Sequence, residues 1–373
     1  MCRAAEDLKL LGSSSLESEG GGSWSREQQA IDSQDSQESC CFDFKLPSHS
    51  SGCTRSSSEH LPQPQDLEYE HTLHEQELSS APAKQYVQQL YCGGATQAAA
   101  VRSSTIDWMV DTAQQLKLTS DSLFLGVQLL DRFLAAVLQE YADVATAQAF
   151  LQSGKLQLSA LTALWVAAKF EESCVPGAST FVQHMPGASH GNCRVLLQQL
   201  LEAEQVLLTT VDHRLAAPTA KTFLRRYLAR VAVSHPVYFA AGYVAELSLL
   251  DSGMLCFLPS MVAASAYVWA LKLMGIECND EHLTRLSGYS LSQVLPCLLR
   301  IARVHTAACN TQLPCAISCK YLDDKLEQVA ALPPVEQHKV VQLEQQQLLL
   351  LQQQQQLYQC QVKDAAAACS NSC

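Results

Sequence analysis

The chain has 373 residues and a hydrophobic fraction of 47%, which is enough for two domains of ordinary size with apolar cores. Residues 1–80 hold 15 acidic and 5 basic side chains, so most of the formal net charge of −12 lies there. The rest is nearly neutral without a basic stripe, which argues against a nucleic-acid partner. No apolar run reaches the roughly 18–20 residues of a membrane span, and the charged first ten residues are unlike a signal peptide.

Sixteen cysteines are scattered along the chain. Cys315 and Cys319 are four residues apart, but no second pair at zinc-ligand spacing accompanies them. Others, such as Cys256 and Cys297, lie among apolar residues, so we interpret them as small buried side chains in a reducing compartment. We therefore predict no metal, no cofactor and no membrane association, and a location in the nucleus and cytoplasm.

The first predicted segment is an acidic tail, rich in Ser and Gln, over residues 1–80. Its few apolar residues cannot bury enough surface to offset the entropy lost on ordering. We therefore expect this tail to be disordered.

Between residues 81 and 215, apolar residues recur every three or four positions, which is typical of amphipathic helices. Each predicted helix has one apolar face. The four faces contain Ile106, Met109 or Val110, Ala113 and Leu116; Leu123, Val127, Leu130 and Leu134; Leu158, Leu161, Trp165 and Ala168; and Leu197, Leu200, Leu207 and Val211. Pro218 ends this series and suits the first turn of a new helix.

A second series of helices follows Pro218, with the predicted ranges 219–231, 236–250, 259–274, 280–287 and 290–309. The sequence shows no alternating strand pattern of useful length. Two successive series of about five helices indicate an internal duplication. The predicted fold is therefore all-α, with one unit over 81–215 and another over 216–330.

The last predicted segment, residues 331–373, is a low-complexity tail of Gln, Leu and Ala. Leu343, Leu350 and Leu357 recur every seven positions. Gln347 occupies the intermediate position that a coiled coil fills with an apolar residue, so a coiled coil is only weakly favoured.

Four charged residues fall at positions that the periodicity assigns to apolar faces, namely Arg102, Asp131, Lys169 and Glu204. A lone buried charge is costly, so each of these side chains needs a partner. A pair of Arg102 with Asp131 would join the first helix to the second. A pair of Lys169 with Glu204 would join the third helix to the fifth.

The first pair is best explained as an internal brace, whereas the second pair has two possible roles. Lys169 lies at a helix end, where it could donate hydrogen bonds to carbonyls of another chain while Glu204 orients it. Phe170 beside it would then be an exposed aromatic anchor. Spacing alone does not decide between a brace and an interface.

Several blocks of the sequence occur in an order and spacing typical of one protein family. The blocks are Val101–Trp108 (Val-Arg-Ser-Ser-Thr-Ile-Asp-Trp), Leu130–Leu134 (Leu-Asp-Arg-Phe-Leu), Gly154–Leu158, Ala168–Glu172 (Ala-Lys-Phe-Glu-Glu), Ala216–Thr219, Ala245–Asp251 and Pro259–Ala266. The chain thus resembles the cyclin family, most closely the A/B-type mitotic cyclins. The resemblance implies two tandem five-helix cyclin boxes between disordered N-terminal and Gln-rich C-terminal tails.

The resemblance implies a role for each of the four charged residues. Arg102 and Asp131 match the family's internal ion pair, and Leu158 matches a fifth characteristic position. The other charged pair matches residues that contact the PSTAIRE-type helix of a cyclin-dependent kinase. The implied kinase-binding residues are Lys169, Phe170, Glu171, Glu204, Leu215 and Tyr86, the last in a short helix before the first box.

The family also has a patch on its first helix that binds Arg-x-Leu motifs of substrates. The residues that match this patch are Val101, Trp108, Asp111 and Gln157. Ser104 and Thr105 replace an Ile and a Leu of the family, which removes apolar contact worth about 1–3 kcal/mol per fully buried side chain. Proteins with Arg-x-Leu motifs are therefore expected partners, but with weak or altered docking.

The resemblance implies a cyclin that binds and activates a cyclin-dependent kinase and performs no chemistry itself. An enzyme is disfavoured because the sequence lacks a Gly-rich phosphate loop, Gly-x-Ser-x-Gly and His-Glu-x-x-His. A tandem cyclin fold that binds DNA would need a basic face. A divergent cyclin-fold scaffold that does not activate a kinase is the remaining alternative. Its support is the altered patch and His213, which stands where the family usually has an aromatic residue.

Overall fold

The structure is a computed structural model and describes residues 64–80, 96–140, 154–189, 191–311, 315–335 and 338–350, together with 352–353 and 356. Within these ranges all regular secondary structure is helical, as predicted. None of the helices described there is long and apolar enough to cross a membrane. The predicted disorder of residues 1–63 concerns a segment outside the described residues.

Two units of five helices form the body of the described chain. Helix α1 (Pro64–Ser80) precedes the first unit, which consists of α2 (Thr96–Gln115), α3 (Ser120–Glu140), α4 (Gly154–Glu171), α5 (Ala178–Val182) and α6 (Cys193–Thr210). The second unit consists of α7 (Ala220–Arg230), α8 (His235–Leu250), α9 (Pro259–Leu273), α10 (Asp280–Ser287) and α11 (Leu291–Asn310), followed by the short α12 (Ala316–Lys320). The predicted duplication is therefore confirmed.

The core of the first unit is built around α4. Leu156 and the run from 158 to 168 are buried, because α2, α3 and α6 all pack against this helix. Helix α3 approaches so closely that a Cβ atom at Gly126 would lie 3.2 Å from the Cα atom of Leu164. Glycine at this position therefore permits the close packing of two helices that both carry predicted site residues.

Helix α9 has the same central position in the second unit, where α7, α8 and α11 surround it. Its residues 262–271 are buried, including Trp269. Thr219 and Ser290 begin α7 and α11 with capping boxes, which satisfy backbone donors at each helix start. The two units thus share one design, a buried central helix inside a ring of amphipathic ones.

The predicted disorder of residues 1–80 is wrong for the last part of that segment, because residues 64–80 form α1. Leu73 and Glu77, four positions apart, are buried. The Glu77 carboxylate accepts hydrogen bonds from the backbone N–H of Ser260 at 3.0 Å and from its hydroxyl at 2.7 Å. Glu77 thereby caps the N-terminus of α9. Glu70 also pairs with Arg226 and Arg230 of α7, and the His74 ring stacks on Phe223. These contacts together fix a helix whose composition is typical of a disordered tail.

The Gln-rich C-terminal segment also contributes ordered structure. Residues 338–350 are helical, and Val340, Leu343 and Leu350 pack against the core. Glu344 accepts a hydrogen bond from Arg303 of α11 at 3.0 Å. The seven-residue spacing of these leucines therefore serves contacts within the chain, and residues 357–373 lie outside the described part.

Buried polar side chains join the two units. The Glu246 carboxylate of α8 accepts a hydrogen bond from the Ser120 hydroxyl of α3 at 2.9 Å. It also accepts hydrogen bonds from the Lys320 ammonium at 2.8 and 2.9 Å and from the Tyr321 hydroxyl at 3.0 Å. This carboxylate therefore links the start of α3 to the segment that follows the second unit.

Candidate functional site

Arg102 and Asp131 form a bidentate ion pair between α2 and α3, and each is only 3% exposed. The Nε and Nη2 atoms of Arg102 donate to the two carboxylate oxygens at 2.8 and 2.7 Å. The Nη1 atom donates to the backbone carbonyl of Leu249 in α8 at 2.9 Å. The pair therefore braces the first unit and also ties it to the second. Periodicity predicted the pairing but could not identify Leu249.

Lys169 and Glu204 also contact each other, between the end of α4 and the middle of α6. Their side chains are 36% and 15% exposed, so this pair lies at the rim of the bundle. The Glu204 carboxylate also accepts a hydrogen bond from the indole N–H of Trp165 at 3.3 Å. The Lys169 ammonium lies 4.8 Å from the centroid of the Trp165 ring, within the range of cation–π attraction. Trp165 therefore holds both members in place while the ammonium stays accessible.

The two residues after Lys169 are also on the surface. Phe170 is 49% exposed, and Glu171 is exposed at the last position of α4. Partial burial and the nearby Asp121 carboxylate raise the pKa of Glu171, while Arg225 acts in the opposite direction. An ammonium, an aromatic ring and a carboxylate are thus displayed together at one helix end.

Glu172 has a different role, which sequence reasoning missed. One carboxylate oxygen accepts hydrogen bonds from the backbone N–H of Thr119 at 2.6 Å, from its hydroxyl at 2.8 Å and from the Ser122 hydroxyl at 2.6 Å. These donors lie at the start of α3, so Glu172 fixes the end of α4 to the start of α3. Only tertiary contacts distinguish this structural carboxylate from the exposed Glu171 next to it.

Helix α6 has three leucines and Glu204 on its outer side, in addition to its buried face. The outer side chains are Leu197, Leu201, Glu204 and Leu208, here called the α6 stripe. Their spacing of four, three and four residues places them on one side of the helix. Leu201 is 47% exposed, and Leu197 and Leu208 are half-buried. This side of α6 suits packing against a second helix.

The sequence pattern of α6 was only partly interpreted correctly. Leu200, Leu207 and Val211 are buried as predicted. Leu197 packs partly against the core but also borders the outer side, and the exposed Leu201 was not predicted. A second apolar stripe on an amphipathic helix widens the apolar face, and periodicity alone then assigns its members to the core. Lys169, Phe170, Glu171 and the α6 stripe are together called the rim surface below.

The turn after α6 carries Leu215 and His213. Leu215 is half-buried against the core, and His213 is exposed with a left-handed φ of 55°. Arg132 of α3 donates hydrogen bonds to backbone carbonyls of this turn. Tyr86, the remaining predicted kinase-binding residue, lies outside the described residues.

The predicted substrate-docking residues lie on two adjacent helices. Val101, Trp108 and Asp111 belong to α2, and Gln157 lies in the first turn of α4. Val101 and Trp108 are half-buried, and Asp111 is exposed. The side-chain oxygen of Gln157 is buried and has no hydrogen-bond partner among the residues that the structure describes. Because this oxygen is enclosed, a donor from a partner would reach it only after the Gln157 side chain had reoriented.

The two polar replacements in this patch are accommodated differently. The Ser104 hydroxyl is exposed and donates to the Ala100 carbonyl at 3.0 Å. Thr105 is buried, and its hydroxyl donates to the Val101 carbonyl at 2.8 Å. Both hydroxyls are thus satisfied within α2, and only position 104 changes the apolar area of the surface.

The cysteines differ from one another in exposure. Cys297 is buried, as predicted, and burial raises the pKa of its thiol to about 12. Cys256 is exposed, contrary to the prediction, because it ends a short 3-10 helix (Ser252–Cys256) between α8 and α9. Within the described ranges, no group of three or more His, Cys, Asp or Glu side chains is arranged to hold a metal ion.

Two family models match the chain in tandem. The model described as "Cyclin, N-terminal domain" matches residues 68–216, and the model described as "Cyclin, C-terminal domain" matches residues 218–335. The boundary coincides with the passage from α6 to α7, so the two helical units define a protein with tandem cyclin domains.

Curated relatives agree with these matches. Cyclin-A2-1 of Oryza sativa subsp. japonica is 34% identical over 246 residues, covering 63% of this chain and 46% of that protein. Cyclin-A1 of Mus musculus is 33% identical over 237 residues, covering 63% and 51%. The chain belongs to the cyclin family, with similarity to A-type cyclins, and spans about half the length of these curated relatives.

A solved structure shows the same fold. It is described as "Crystal Structure of the yeast RNA Pol II CTD kinase CTDK-1 complex" and aligns with a TM-score of 0.52 at 12% identity. The alignment covers 71% of this chain and 82% of that chain. At this identity the likeness concerns the fold alone.

Proposed function

We propose that this chain is the regulatory subunit of a cyclin-dependent serine/threonine protein kinase, which it binds and activates in cell-cycle control. The chain itself performs no catalysis. The rim surface supports this proposal, because it combines an oriented ammonium, an exposed aromatic ring and the α6 stripe. Membership of the cyclin family supports it independently.

Lys169 is the central residue of the proposed contact. An ammonium has three N–H donors, and Glu204 accepts only one of them. The others are available to backbone carbonyls at the C-terminal end of a partner helix, where the partial negative charge attracts a cation. Because Glu204 and Trp165 already orient the ammonium, binding costs little additional side-chain entropy.

Apolar contacts would supply the rest of the affinity. Phe170 and Leu201 are both about half exposed, and an exposed aromatic residue near the centre of an interface is a typical hot spot. The α6 stripe would pack along the PSTAIRE-type helix of the kinase. That helix carries the Glu that pairs with the active-site Lys, so holding it in place favours the active arrangement. The chain would thus shift the kinase between two states through its higher affinity for the active one.

Affinity for a purified PSTAIRE-type kinase tests the proposal. We expect Lys169→Ala and Glu204→Ala to raise the Kd at least tenfold, which corresponds to about 1.4 kcal/mol, while both variants stay folded. Glu202→Ala is the matched control, because Glu202 lies on the same helix but roughly 200° around its axis from Glu204. Normal affinity of the folded Lys169→Ala and Glu204→Ala proteins would refute the proposal.

We further propose that the patch of Val101, Trp108, Asp111 and Gln157 binds Arg-x-Leu peptides weakly. The exposed Asp111 carboxylate suits the donors of such a peptide, but Ser104 reduces the apolar contact. Ser104→Ile should tighten peptide binding severalfold in a fluorescence polarisation assay. Absence of binding to both the wild-type and the Ser104→Ile protein would refute this assignment.

A second candidate function is a scaffold that binds a kinase without activating it. His213, in place of an aromatic residue, and the polar patch residues favour this alternative. Phosphorylation of a model substrate, measured at saturating concentrations of the chain, separates the two candidates. Binding with activation supports the first proposal, and binding without activation supports the scaffold.

We propose that the chain acts in both the nucleus and the cytoplasm. The near-neutral folded part has no strong basic import sequence, so nuclear entry would depend on the kinase partner. Imaging of a fluorescent fusion with and without excess kinase tests this, and a distribution that ignores the kinase would contradict it.

A further inference from the structure

The turn that follows α6 has an unusual backbone. Asp212 and His213 both have positive φ angles, 57° and 55°, in a region that residues other than glycine seldom adopt. The Asp212 N–H donates to the Thr209 carbonyl at 3.1 Å, and the His213 N–H donates to the Leu208 carbonyl at 2.9 Å. These two bonds form a Schellman motif, in which glycine usually occupies the position of Asp212. The chain thus adopts a tight turn without the residue that would make it least costly.

Arg132 of α3 holds this turn from the side. Its Nη1 atom donates to the Arg214 carbonyl at 2.6 Å, and its Nη2 atom donates to the Val211 carbonyl at 3.2 Å. The two acceptors lie on either side of the left-handed residues, so the guanidinium bridges the turn. The carbonyls at the end of a helix carry partial negative charge and favour a cation. A bidentate fork of this kind specifies geometry as well as contributing energy.

Within the described part of the chain, the guanidinium of Arg132 interacts with backbone carbonyls rather than with a carboxylate. Its neighbour Asp131 is engaged by Arg102, and no ion pair of Arg132 with a carboxylate occurs among the residues that the structure describes. Burial, and then the nearby Arg214, lower the pKa of Arg132, but a guanidinium stays protonated at neutral pH. The two carbonyls therefore compensate the partial desolvation of a half-buried cation.

A second residue on α3 acts on the same stretch of backbone. Gln128, four positions before Arg132, donates to the Pro218 carbonyl at 3.5 Å. One face of α3 thus carries two donors aimed at the segment that connects the cyclin domains. Within that segment, the Leu215 N–H donates to the His213 carbonyl at 3.1 Å, so the position of Leu215 depends on the conformation of the turn.

We propose that Arg132 is a positioning residue for partner binding, which fixes the turn over 211–215 and so presents His213 and Leu215 to the kinase. This inference rests on the proposed function, because it concerns the same partner. The consecutive charged residues Asp131 and Arg132 of α3 then have different roles. Asp131 secures the interior of the first cyclin domain, and Arg132 sets the shape of its surface.

Amide hydrogen exchange of the chain without kinase tests the structural half of the proposal. Arg132→Met keeps an unbranched apolar side chain but removes the donors. We expect the amides of Asp212, His213 and Arg214 to exchange about tenfold faster, while amides in the middle of α6 keep their protection. Unchanged exchange in the turn would overturn the proposal.

Kinase affinity tests the functional half. Arg132→Met should raise the Kd for a purified PSTAIRE-type kinase about five- to tenfold. The Kd of Arg132→Lys should lie between that of Arg132→Met and that of the wild type. In a Leu215→Ala background the Arg132→Met substitution should raise the Kd by a smaller factor, because one of the two side chains that Arg132 positions has already been removed. Arg300→Met is the matched control, because it breaks a bidentate pair with Asp251 in the second domain and should leave the Kd unchanged.

The outcomes separate this inference from the proposed function. A loosened turn with wild-type affinity, or a full effect of Arg132→Met in the Leu215→Ala background, would overturn the positioning role. A wild-type chain that binds no PSTAIRE-type kinase would refute the proposed function and with it the kinase-directed part of this inference. The exchange measurement would still decide whether Arg132 fixes the turn.

Discussion

The first cyclin domain contains two ion pairs that join helices, at different depths. The pair of Arg102 and Asp131 is buried, bidentate and completed by a carbonyl of the second domain. The pair of Lys169 and Glu204 is a single contact at the rim, supported by Trp165. Burying a charge is costly unless its donors and acceptors are matched. The first pair, which is buried and fully matched, therefore stabilises the fold and is inaccessible to a partner. The second remains partly hydrated and is available for recognition.

Breaking the buried pair should give the largest effect. Asp131→Asn leaves the Arg102 guanidinium buried without its counter-charge, and we expect the free energy of unfolding to fall by about 3–5 kcal/mol. Urea denaturation followed by circular dichroism measures this loss. The double variant Arg102→Met with Asp131→Leu should recover much of it, because no unpaired charge remains. An Asp131→Asn protein as stable as the wild type would show that the pair is not a brace.

Lowering the pH should reduce the stability of the second domain, because it favours protonation of the buried His305 side chain. His305 of α11 is fully buried among Tyr243, Trp269 and Cys309, and burial lowers its pKa to about 4. In the unfolded chain its pKa is about 6.5, so the unfolded state binds more protons between these values. The stabilisation is complete above pH 6.5 and is lost as the pH falls towards 4, by about 3 kcal/mol in total.

Urea denaturation at pH 7 and pH 4.5 measures this effect of His305. The wild type should lose more stability than His305→Phe, since carboxylates titrate in both proteins and cancel in the difference. Equal losses would show that His305 does not titrate as its burial requires.

Removing the charge of the buried Glu77 carboxylate, which accepts hydrogen bonds from the N–H and hydroxyl of Ser260, should have an effect on stability between those of the two ion pairs. Glu77→Gln keeps the shape of the side chain but removes the charge that caps α9, and we expect a loss of about 1–2 kcal/mol. Limited proteolysis and urea denaturation measure the release of α1. Glu75→Gln is the control, because Glu75 is largely exposed on the same helix. Equal behaviour of the two variants would argue against the capping role.

Breaking the rim pair should give the smallest change in stability. Lys169→Ala should lower the free energy of unfolding by less than about 1 kcal/mol, because the pair is partly hydrated. The melting temperature by calorimetry measures this, beside the loss of kinase affinity described above. A loss as large as that of Asp131→Asn would make Lys169 and Glu204 a second brace.

The sequence was sufficient to locate both pairs. Arg102, Asp131, Lys169 and Glu204 interrupt apolar faces at helical spacing, and this anomaly depends only on local periodicity. The succession of two helical units was predictable for the same reason. Whether a pair is a brace or part of a surface was not predictable, because depth depends on how the helices pack.

Contacts between distant segments account for what the sequence could not reveal. The Leu249 carbonyl lies 147 residues from Arg102 in the chain, and a backbone acceptor leaves no trace in the pattern of side chains. Glu77 orders α1 through a helix N-terminus that belongs to the other domain, so composition alone predicted disorder. Glu171 and Glu172 are the same residue type in succession, and only their three-dimensional neighbours separate them.

The hydrogen bond from Arg102 to the Leu249 carbonyl has a consequence for the duplicated architecture. A fragment that stopped before Pro218 would keep the ion pair but lose the acceptor for the third donor of Arg102. The complementary fragment would keep Glu246 but lose the Ser120 hydroxyl. Although the two halves repeat one design, each completes the other's interior, and we expect them to melt in one cooperative transition.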